Sequence, residues 1–354
     1  MPVPTKRDPE ETKRALAAWL ASRLDDPGVS VTGLSVPSGA GFSNETLIVD
    51  AAGERLVVRL QPTGFQLFLD ADFELQYRLL TTLGASTSVP VPPVLWYEPD
   101  PGVLGAPFFV MRHVEGRAVT DSPPYNESGW LYETPPAERE RIWRHAVDAL
   151  IAVHSVPASL VSFLDKPSLG ATGFDQALAY WERSFEWAAR GKPQPVAEAA
   201  WDWLTANLPA ERDTALSWGD ARMGNMLFRG CEVAAVLDWE MLSLGGPVMD
   251  LGWWLFLDDF HAFGVPRLPG LGTRADTIAL WEAGTGRRAV DLEWYEIFAG
   301  FRFAIVMIRM AQMFQSWGVL PPGRDDMETN NAVLHVLARK LDVPPPGPLP
   351  TGPA

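Results

Sequence analysis

The chain has 354 residues, of which 47% are hydrophobic and 21% charged, which is typical of a globular protein large enough for two lobes. Its formal net charge of −15 opposes binding to nucleic acid or to an anionic membrane, so neither is expected as a partner. The single cysteine, Cys231, excludes an internal disulfide, and neither a signal core nor an apolar run of about 18 residues is present. A cytoplasmic protein is therefore expected. The five histidines are scattered, which gives no support to a zinc site.

The first third of the sequence combines short strand patterns with two helical patterns. Apolar residues recur at helical spacing in residues 10–25 and 71–83. Strand patterns bounded by turn residues occupy residues 29–36, 45–49, 55–60, 94–98 and 107–115. We therefore predict a small, mostly β lobe that ends near residue 115.

From residue 116 onwards the pattern changes to long helical stretches. They cover residues 136–155, 174–190, 195–207, 248–263, 274–284, 292–317 and 325–341. Two short strand patterns, around residues 226–229 and 233–238, are the only β signal in this part. The sequence thus predicts an α+β fold with a small antiparallel β lobe (1–115), a large, mainly helical lobe (116–342) and a Pro/Gly-rich tail (343–354).

Two acids and an asparagine stand at the spacing that phosphoryl-transfer enzymes use. Asn225 follows Asp220 by five positions, and Asp238 comes directly after the apolar run Ala234–Leu237. In the protein-kinase pattern the first acid is the base, while the asparagine and the later acid bind Mg²⁺. We therefore predict Asp220 as the base and Asn225 and Asp238 as metal ligands. Arg222 falls where kinases carry a lysine that contacts the transferring phosphate, so it is predicted to be catalytic.

Three segments of the first lobe are candidates for binding a nucleotide. A hairpin between two strand patterns is expected to cover the phosphates with the backbone of Gly39, Ala40, Gly41, Phe42, Ser43 and Asn44. Arg59 on the third strand and Glu74 in the next helix form the expected cation–acid pair, with arginine where kinases usually have lysine. The backbone around Arg112 and Val114 is the expected contact for adenine.

These motifs resemble those of the aminoglycoside phosphotransferase (APH), or choline-kinase-like, family. The resemblance rests on Gly219-Asp220-x-x-x-Gly224-Asn225 and on Leu237-Asp238-Trp239-Glu240. The residues of these motifs are most similar to those of actinobacterial phosphotransferases and of kinase domains fused to acyl-CoA dehydrogenases. The resemblance implies a two-lobed protein-kinase-like fold and a transfer of phosphate from ATP, with Mg²⁺, to a hydroxyl of a small molecule.

Two further positions take their expected roles from the same resemblance. The segment Ser243–Leu251 is similar to a third family motif, in which Asp250 would brace the catalytic loop from a helix. Trp218 stands where the family commonly has a histidine, so we expect the hydrogen bond made by that histidine to be lost.

The acceptor is left open between an aminoglycoside, another hydroxylated natural product such as a macrolide, and a hydroxyacyl thioester. A cationic aminoglycoside would need acids from the large lobe, for which the candidates are Asp121, Glu127, Glu182, Glu186, Asp258, Asp259 and Glu282. A bulky, partly apolar acceptor is favoured by the aromatic residues Trp130, Tyr132, Tyr180, Trp181, Trp187, Trp253, Trp254, Phe256 and Phe260. The helices at 174–190 and 248–263 are expected to flank the catalytic loop. A non-catalytic, nucleotide-binding pseudokinase is the alternative from another functional class.

Overall fold

The chain divides into two compact units, residues 1–87 with 91–115 and residues 88–90 with 116–354. A computed structural model describes residues 7–37, 43–70, 72–121, 123–321 and 323–350 of them. The first unit is built around a small antiparallel sheet, and the second is mainly helical. The α+β class predicted from the sequence patterns is therefore confirmed.

The first unit contains a five-stranded antiparallel sheet with the strand order β1-β2-β3-β5-β4. Its strands are β1 (Val31–Ser35), β2 (Glu45–Ala51), β3 (Glu54–Leu60), β4 (Val94–Glu98) and β5 (Phe108–Arg112). Its helices are α1 (Pro9–Leu24) and α2 (Phe73–Ser86), whose first turns are capped by the side chains of Asp8 and Asp72. These caps satisfy backbone N–H groups that a helix start leaves without a partner.

Alternation along β2 and β3 places one face of the sheet in the core of this unit. Leu47 and Val49 on β2 and Leu56 and Val58 on β3 are buried, and they pack in one cluster with apolar residues of α1. Because side chains of a strand alternate between its two faces, the same strands present their remaining residues to the opposite side.

The second unit holds eight helices and a small sheet among its described residues. The helices are α3 (Trp130–Glu133), α4 (Pro136–His154), α5 (Gly173–Ala189), α6 (Pro195–Ala206), α7 (Pro247–His261), α8 (Arg274–Thr285), α9 (Leu292–Trp317) and α10 (Ala332–Leu341). The antiparallel sheet has the order β6-β7-β8 and consists of β6 (Arg117–Ala118), β7 (Met226–Arg229) and β8 (Glu232–Val236).

Helix α9 forms the centre of the second unit. Although no apolar run of membrane-spanning length was expected from the sequence, α9 is long and apolar enough by composition to cross a membrane, but 78% of its apolar window is buried inside the protein. A helix that is apolar on nearly all sides is expected in the core of a large unit. The contact with α7 is close: a Cβ added at Gly252 would lie 2.6 Å from Cβ of Tyr295 on α9.

The second unit differs from the sequence prediction at one strand and one helix. Strand β6 was not predicted, because it is only two residues long and gives no pattern of its own, and it pairs with β7. The helix predicted for residues 325–341 begins at Ala332. Its start is set by Asn331, whose side chain accepts a hydrogen bond from the Leu334 N–H, while the preceding residues form turns.

Candidate active site

The motif Trp218–Asn225 forms a loop in the second unit that leads through a short 3₁₀ turn into β7. Its entry is fixed by backbone hydrogen bonds in both directions between Ser217 and Ser243, at 2.9 and 3.1 Å. Gly219 has a φ of +96°, and a Cβ there would lie 2.2 Å from the carbonyl oxygen of Met241. The loop therefore requires glycine immediately before Asp220.

Asp250, in the first turn of α7, braces this loop from the protein interior. It is fully buried, and its Oδ1 accepts hydrogen bonds from Oγ of Ser217 at 2.7 Å and the Gly219 N–H at 2.8 Å. Its Oδ2 accepts from the Trp218 N–H at 2.6 Å. The role predicted for Asp250 is confirmed by these three bonds.

A buried histidine completes the environment of Asp250. Nε2 of His154 on α4 lies 3.0 Å from Asp250 Oδ2, and Nε1 of Trp281 on α8 donates to His154 Nδ1 at 2.8 Å. Because an indole N–H only donates, Nδ1 must accept, and the proton on Nε2 is the one donated to Asp250. Helices α4, α7 and α8 are thus linked through His154 and the Asp250 carboxylate.

The Asp220 carboxylate is surrounded by three donors. Nε1 of Trp253 on α7 donates to Oδ1 at 2.8 Å, and Nδ2 of Asn225 donates to Oδ2 at 2.6 Å. Arg222 Nε lies 3.0 and 3.1 Å from the two oxygens. Both carboxylate oxygens of Asp220 therefore accept hydrogen bonds, and these bonds hold the carboxylate in one position. A carboxylate held in this way suits a base that must meet an acceptor hydroxyl in one orientation.

Arg222 lies partly buried between two acids. Besides Asp220, its Nη1 forms an ion pair with Asp121, which lies in the segment after β6. Burial alone would lower the pKa of Arg222, but Asp121 and Asp220 outweigh this and raise it, so the guanidinium stays charged. Burial alone would likewise raise the pKa of Asp121, but the charge of Arg222 holds that pKa below its usual value.

His261, at the end of α7, lies on the far side of this ion pair. Its Nε2 is 3.4 Å from Asp121 Oδ1. Burial lowers the pKa of His261 to about 4, against the opposing effect of the Asp121 charge. The imidazole is therefore uncharged at neutral pH, and Arg222 is the cation that neutralises Asp121.

The indole of Trp218 ties the loop to the segment that carries Asp238. Its Nε1 lies 2.9 Å from the carbonyl oxygen of Leu237 and 3.1 Å from that of Asp238. Trp218 thus makes a hydrogen bond of its own at the position where we expected the bond of a histidine to be lost. The Leu237 N–H also donates to the Asn225 carbonyl at 2.8 Å, which joins the two segments that hold the predicted metal ligands.

The donor set formed by Asn225 and Asp238 fits Mg²⁺. Asn225 directs its amide nitrogen to Asp220, so its oxygen is at the opposite end of the amide. Asp238 is partly exposed and adopts a φ of +61°, a left-handed conformation that aspartate tolerates better than most residues. Mg²⁺ typically binds one or two protein oxygens together with substrate phosphates and water. Within the described part of the chain, no cluster of three or more His, Cys, Asp or Glu side chains offers another metal site.

The predicted nucleotide-binding residues belong to the first unit. Arg59 lies on β3 in register with Phe109 of β5, and Glu74 lies in the first turn of α2. The charge of Glu74 affects Tyr97 of β4. Burial, together with the negative charges of Glu74 and Asp72, raises the pKa of the Tyr97 phenol. The Arg59–Glu74 pairing stays a prediction.

The structure also describes parts of the other two segments that were predicted to bind the nucleotide. Ser43 lies in a bend and Asn44 is buried immediately before β2, whereas Gly39, Ala40, Gly41 and Phe42 lie outside the described residues. The Arg112 N–H already donates to the Pro93 carbonyl at 2.9 Å, and its side chain pairs with Glu54 at 3.1 Å. Of the two positions predicted to contact adenine, Val114 is therefore the better source of a backbone N–H.

Two residues that contact the loop, Trp253 and Asp121, and one that contacts its brace Asp250, His154, were not assigned these roles from the sequence. Trp253 lies three positions after Asp250, and a spacing of three places both on one face of α7, which is a signal that was available. Asp121 and His154 had no such signal, because they are separated from their partners by 101 and 96 residues. Of the two helices expected to flank the loop, α7 contacts it directly through Asp250 and Trp253.

The sequence profile of the phosphotransferase enzyme family, APH, matches residues 36–290 of this chain. Acyl-CoA dehydrogenase family member 11 of Gallus gallus is 34% identical over 228 residues, which are 60% of this chain and 26% of that protein. Family member 10 of Mus musculus is 30% identical over 282 residues, which are 75% of this chain and 25% of that protein. The chain thus spans about a quarter of the length of these relatives.

Solved structures share the fold along nearly the whole chain. A candidate aminoglycoside phosphotransferase from Ralstonia eutropha has a TM-score of 0.68 at 24% identity, covering 93% of this chain and 98% of its own. An aminoglycoside phosphotransferase in a ternary complex with AMP-PNP and hygromycin B has a TM-score of 0.58 at 16% identity, with the same two coverages. The macrolide 2'-phosphotransferase MphH of Brachybacterium faecium has a TM-score of 0.56 at 19% identity, covering 90% and 97%. The protein-kinase-like fold implied by the motifs is thereby confirmed.

Proposed function

Since the chain belongs to the phosphotransferase enzyme family APH, we propose that it transfers the γ-phosphoryl group of ATP to a hydroxyl of a small molecule. The observation that carries the proposal is the Asp220 carboxylate, held by Trp253, Arg222 and Asn225 in a loop braced by Asp250. Phosphoryl transfer depends mainly on positioning and on neutralising charge, which is what these contacts supply.

In the proposed reaction Asp220 orients the acceptor hydroxyl and takes its proton. The hydroxyl oxygen forms a bond to the γ-phosphorus as the bond from that phosphorus to the bridging oxygen of ADP breaks. Arg222 keeps a positive charge beside Asp220, and Asn225 and Asp238 would hold Mg²⁺. Bound there, Mg²⁺ would neutralise charge on the β- and γ-phosphates.

The residues proposed to bind the nucleotide are those of the first unit. Ser43 and Asn44 belong to the hairpin segment together with Gly39, Ala40, Gly41 and Phe42. Arg59, with Glu74, is proposed to hold phosphate oxygens, a task for which a guanidinium has several donors. The backbone near Val114 is proposed to contact adenine, with Arg112 beside it.

For the acceptor, we propose a bulky and partly apolar molecule rather than a polycation. Phe303 of α9 packs against Trp253 with ring centroids 5.7 Å apart, and Phe260 of α7 packs against Phe303 at 5.2 Å. Both phenylalanines are partly exposed, so an aromatic surface extends from the indole that contacts Asp220. Trp181, Trp254 and other aromatics named from the sequence are buried in the core and do not support this choice.

Several of the acids that would favour an aminoglycoside already have partners. Asp121 pairs with Arg222, Asp258 with Arg267, and Asp259 with Lys340. Their charge is therefore compensated within the protein, which weakens them as ligands for a cationic acceptor. A hydroxyacyl thioester and a macrolide both meet the requirement for an apolar body with a hydroxyl, and the names of the curated relatives refer to acyl-CoA.

The test is a coupled assay of ADP release with MgATP and three acceptor groups: aminoglycosides, macrolides and hydroxyacyl thioesters. We expect turnover to rise with a member of the two partly apolar groups and to be lost in Asp220→Asn. Stimulation by aminoglycosides alone would reverse the acceptor preference. Nucleotide binding without turnover on any acceptor would favour the pseudokinase.

A further inference from the structure

Arg302 is a buried arginine in the middle of α9. Its exposed fraction is 1%, and among the described residues its Nε and Nη2 atoms are buried without a hydrogen-bond partner. Burial lowers the pKa of Arg302 to about 10, against the opposing charges of Asp250 and Asp220, so the group is still protonated at neutral pH. Burying a cation in this state is costly, and an apolar side chain of similar length would fill the same space without that cost.

The Arg302 guanidinium contacts the faces of three aromatic rings. The guanidinium carbon of Arg302 lies 4.6 Å from the ring centroid of Trp253, 5.3 Å from that of Phe298 and 5.7 Å from that of Trp181. A cation over an aromatic face is attracted by the negative charge of the π system, and the attraction is larger when both groups are removed from water.

Trp253 is therefore held from two directions. Arg302 stands over its ring, while the indole Nε1–H at the ring edge donates to Asp220 Oδ1 at 2.8 Å. A positive charge at the face draws electron density from the ring and makes the N–H a stronger donor, as in other polarised hydrogen-bond networks. The same contact restricts rotation of the indole and so fixes where its N–H points.

We propose that Arg302 is a positioning residue that acts through the Trp253 indole to hold the Asp220 carboxylate in its reactive orientation. The described contacts of Arg302 are with aromatic rings and not with the carboxylate. The inference rests on the proposed role of Asp220 as the base. It extends the catalytic centre from the loop to α9, where Arg302 lies 82 residues after Asp220.

The first test observes the indole directly and needs no acceptor. The protein has 15 tryptophans, so Trp253→Phe identifies the Trp253 indole N–H resonance in a ¹H–¹⁵N NMR spectrum by its loss. We expect Arg302→Met to move this resonance upfield, in the direction produced by Asp220→Asn, and Arg302→Lys to move it less. An unmoved resonance in Arg302→Met overturns the proposal.

Arg309 offers a matched control on the same helix. It is also buried, with an exposed fraction of 4%, and its guanidinium lies 3.7 Å from the ring centroid of Trp187. Arg309→Met removes a comparable cation–π contact without touching Trp253. We expect it to leave the Trp253 resonance in place, and an equal shift in both variants would assign the effect to loosening of α9.

The second test is a double-mutant cycle on MgATP turnover, with water as the acceptor or with an acceptor identified in the screen. Arg302→Met is expected to lower kcat about three- to thirtyfold at unchanged KM for ATP. Trp253→Phe is expected to lower kcat about ten- to a hundredfold, and Arg302→Met should then have little further effect. Additive losses would show that Arg302 does not act through Trp253. Full activity in Asp220→Asn would instead overturn the proposed function.

Discussion

Replacing Asp220 by asparagine removes the proposed base while keeping the size of the side chain. We expect kcat to fall about 10²- to 10⁴-fold, the range that a positioned general base contributes. Nucleotide binding should be retained, because Asn225 and Asp238 are unchanged. Isothermal calorimetry with MgATP beside the ADP-release assay separates the two effects, and near-normal turnover would mean that Asp220 is not the base.

Asp250 makes the loop depend on a single buried carboxylate. In Asp250→Asn the amide NH₂ takes the place of one carboxylate oxygen, so it faces one of the two backbone N–H groups, that of Trp218 or that of Gly219, from which the carboxylate accepted. We expect the free energy of unfolding to fall by about 3–5 kcal/mol, as when one partner of a buried charged network is removed. Urea unfolding measures this loss. The control is Asp148→Asn on the exposed face of α4, which should change stability by less than about 0.5 kcal/mol.

At the scale of elements, the close approach of α7 and α9 places Trp253 beside both Asp220 and Arg302. Gly252, the neighbour of Trp253, allows this approach because it has no Cβ to meet Tyr295. Gly252→Ala is expected to push the helices apart and to lower the free energy of unfolding by about 1–3 kcal/mol. The measurement is thermal unfolding together with the Trp253 indole resonance, which should shift as α7 moves.

Gly84 in α2 is the matched control for this substitution. A Cβ there would meet only a side-chain atom of Val91 at 3.5 Å, an ordinary contact distance. Gly84→Ala should therefore stabilise the protein by about 0.5–1 kcal/mol through the better helix propensity of alanine. If both substitutions changed stability alike, the α7–α9 contact would not be the cause.

For the whole molecule, nucleotide binding should appear as added stability. A ligand that binds only the folded state stabilises it by about 2.7 kcal/mol at a concentration one hundred times its Kd. We expect MgATP to raise the thermal midpoint, and EDTA or Asp238→Ala to remove the Mg²⁺-dependent part. An unchanged effect of Mg²⁺ in Asp238→Ala would place the metal elsewhere.

Because His261 is buried and uncharged, we expect the protein to lose stability in mild acid. Its pKa is about 4 in the folded protein against an ordinary value of 6.5, so below pH 6.5 the unfolded chain binds a proton that the folded protein does not. The free energy of unfolding should therefore fall as the pH drops from 6.5 to 4, by up to about 3 kcal/mol. His261→Gln should reduce this slope, with Asp121, Arg222 and Asp220 left as the charged groups around the site. An unchanged slope would show that other groups cause the acid loss.

Much of this molecule is visible in local sequence patterns. Alternating apolar residues predict β2 and β3, because one face of each strand must be buried, and the strands fall within two residues of the expected positions. The offsets between Asp220, Asn225 and Asp238 predict one loop and one strand end, since a few residues of chain hold them close together. Both kinds of inference need only short-range geometry.

The contacts that organise the centre lie beyond such patterns. Trp253 meets Asp220 across 33 residues, Asp121 meets Arg222 across 101, and His154 meets Asp250 across 96. Each of these pairs depends on tertiary packing, which follows from the shapes of many side chains at once rather than from the spacing of a few. The sequence of α9 likewise shows only that Arg302 is a charged residue within a largely apolar helix. Its place over the Trp253 ring arises because α7 and α9 approach each other closely at Gly252.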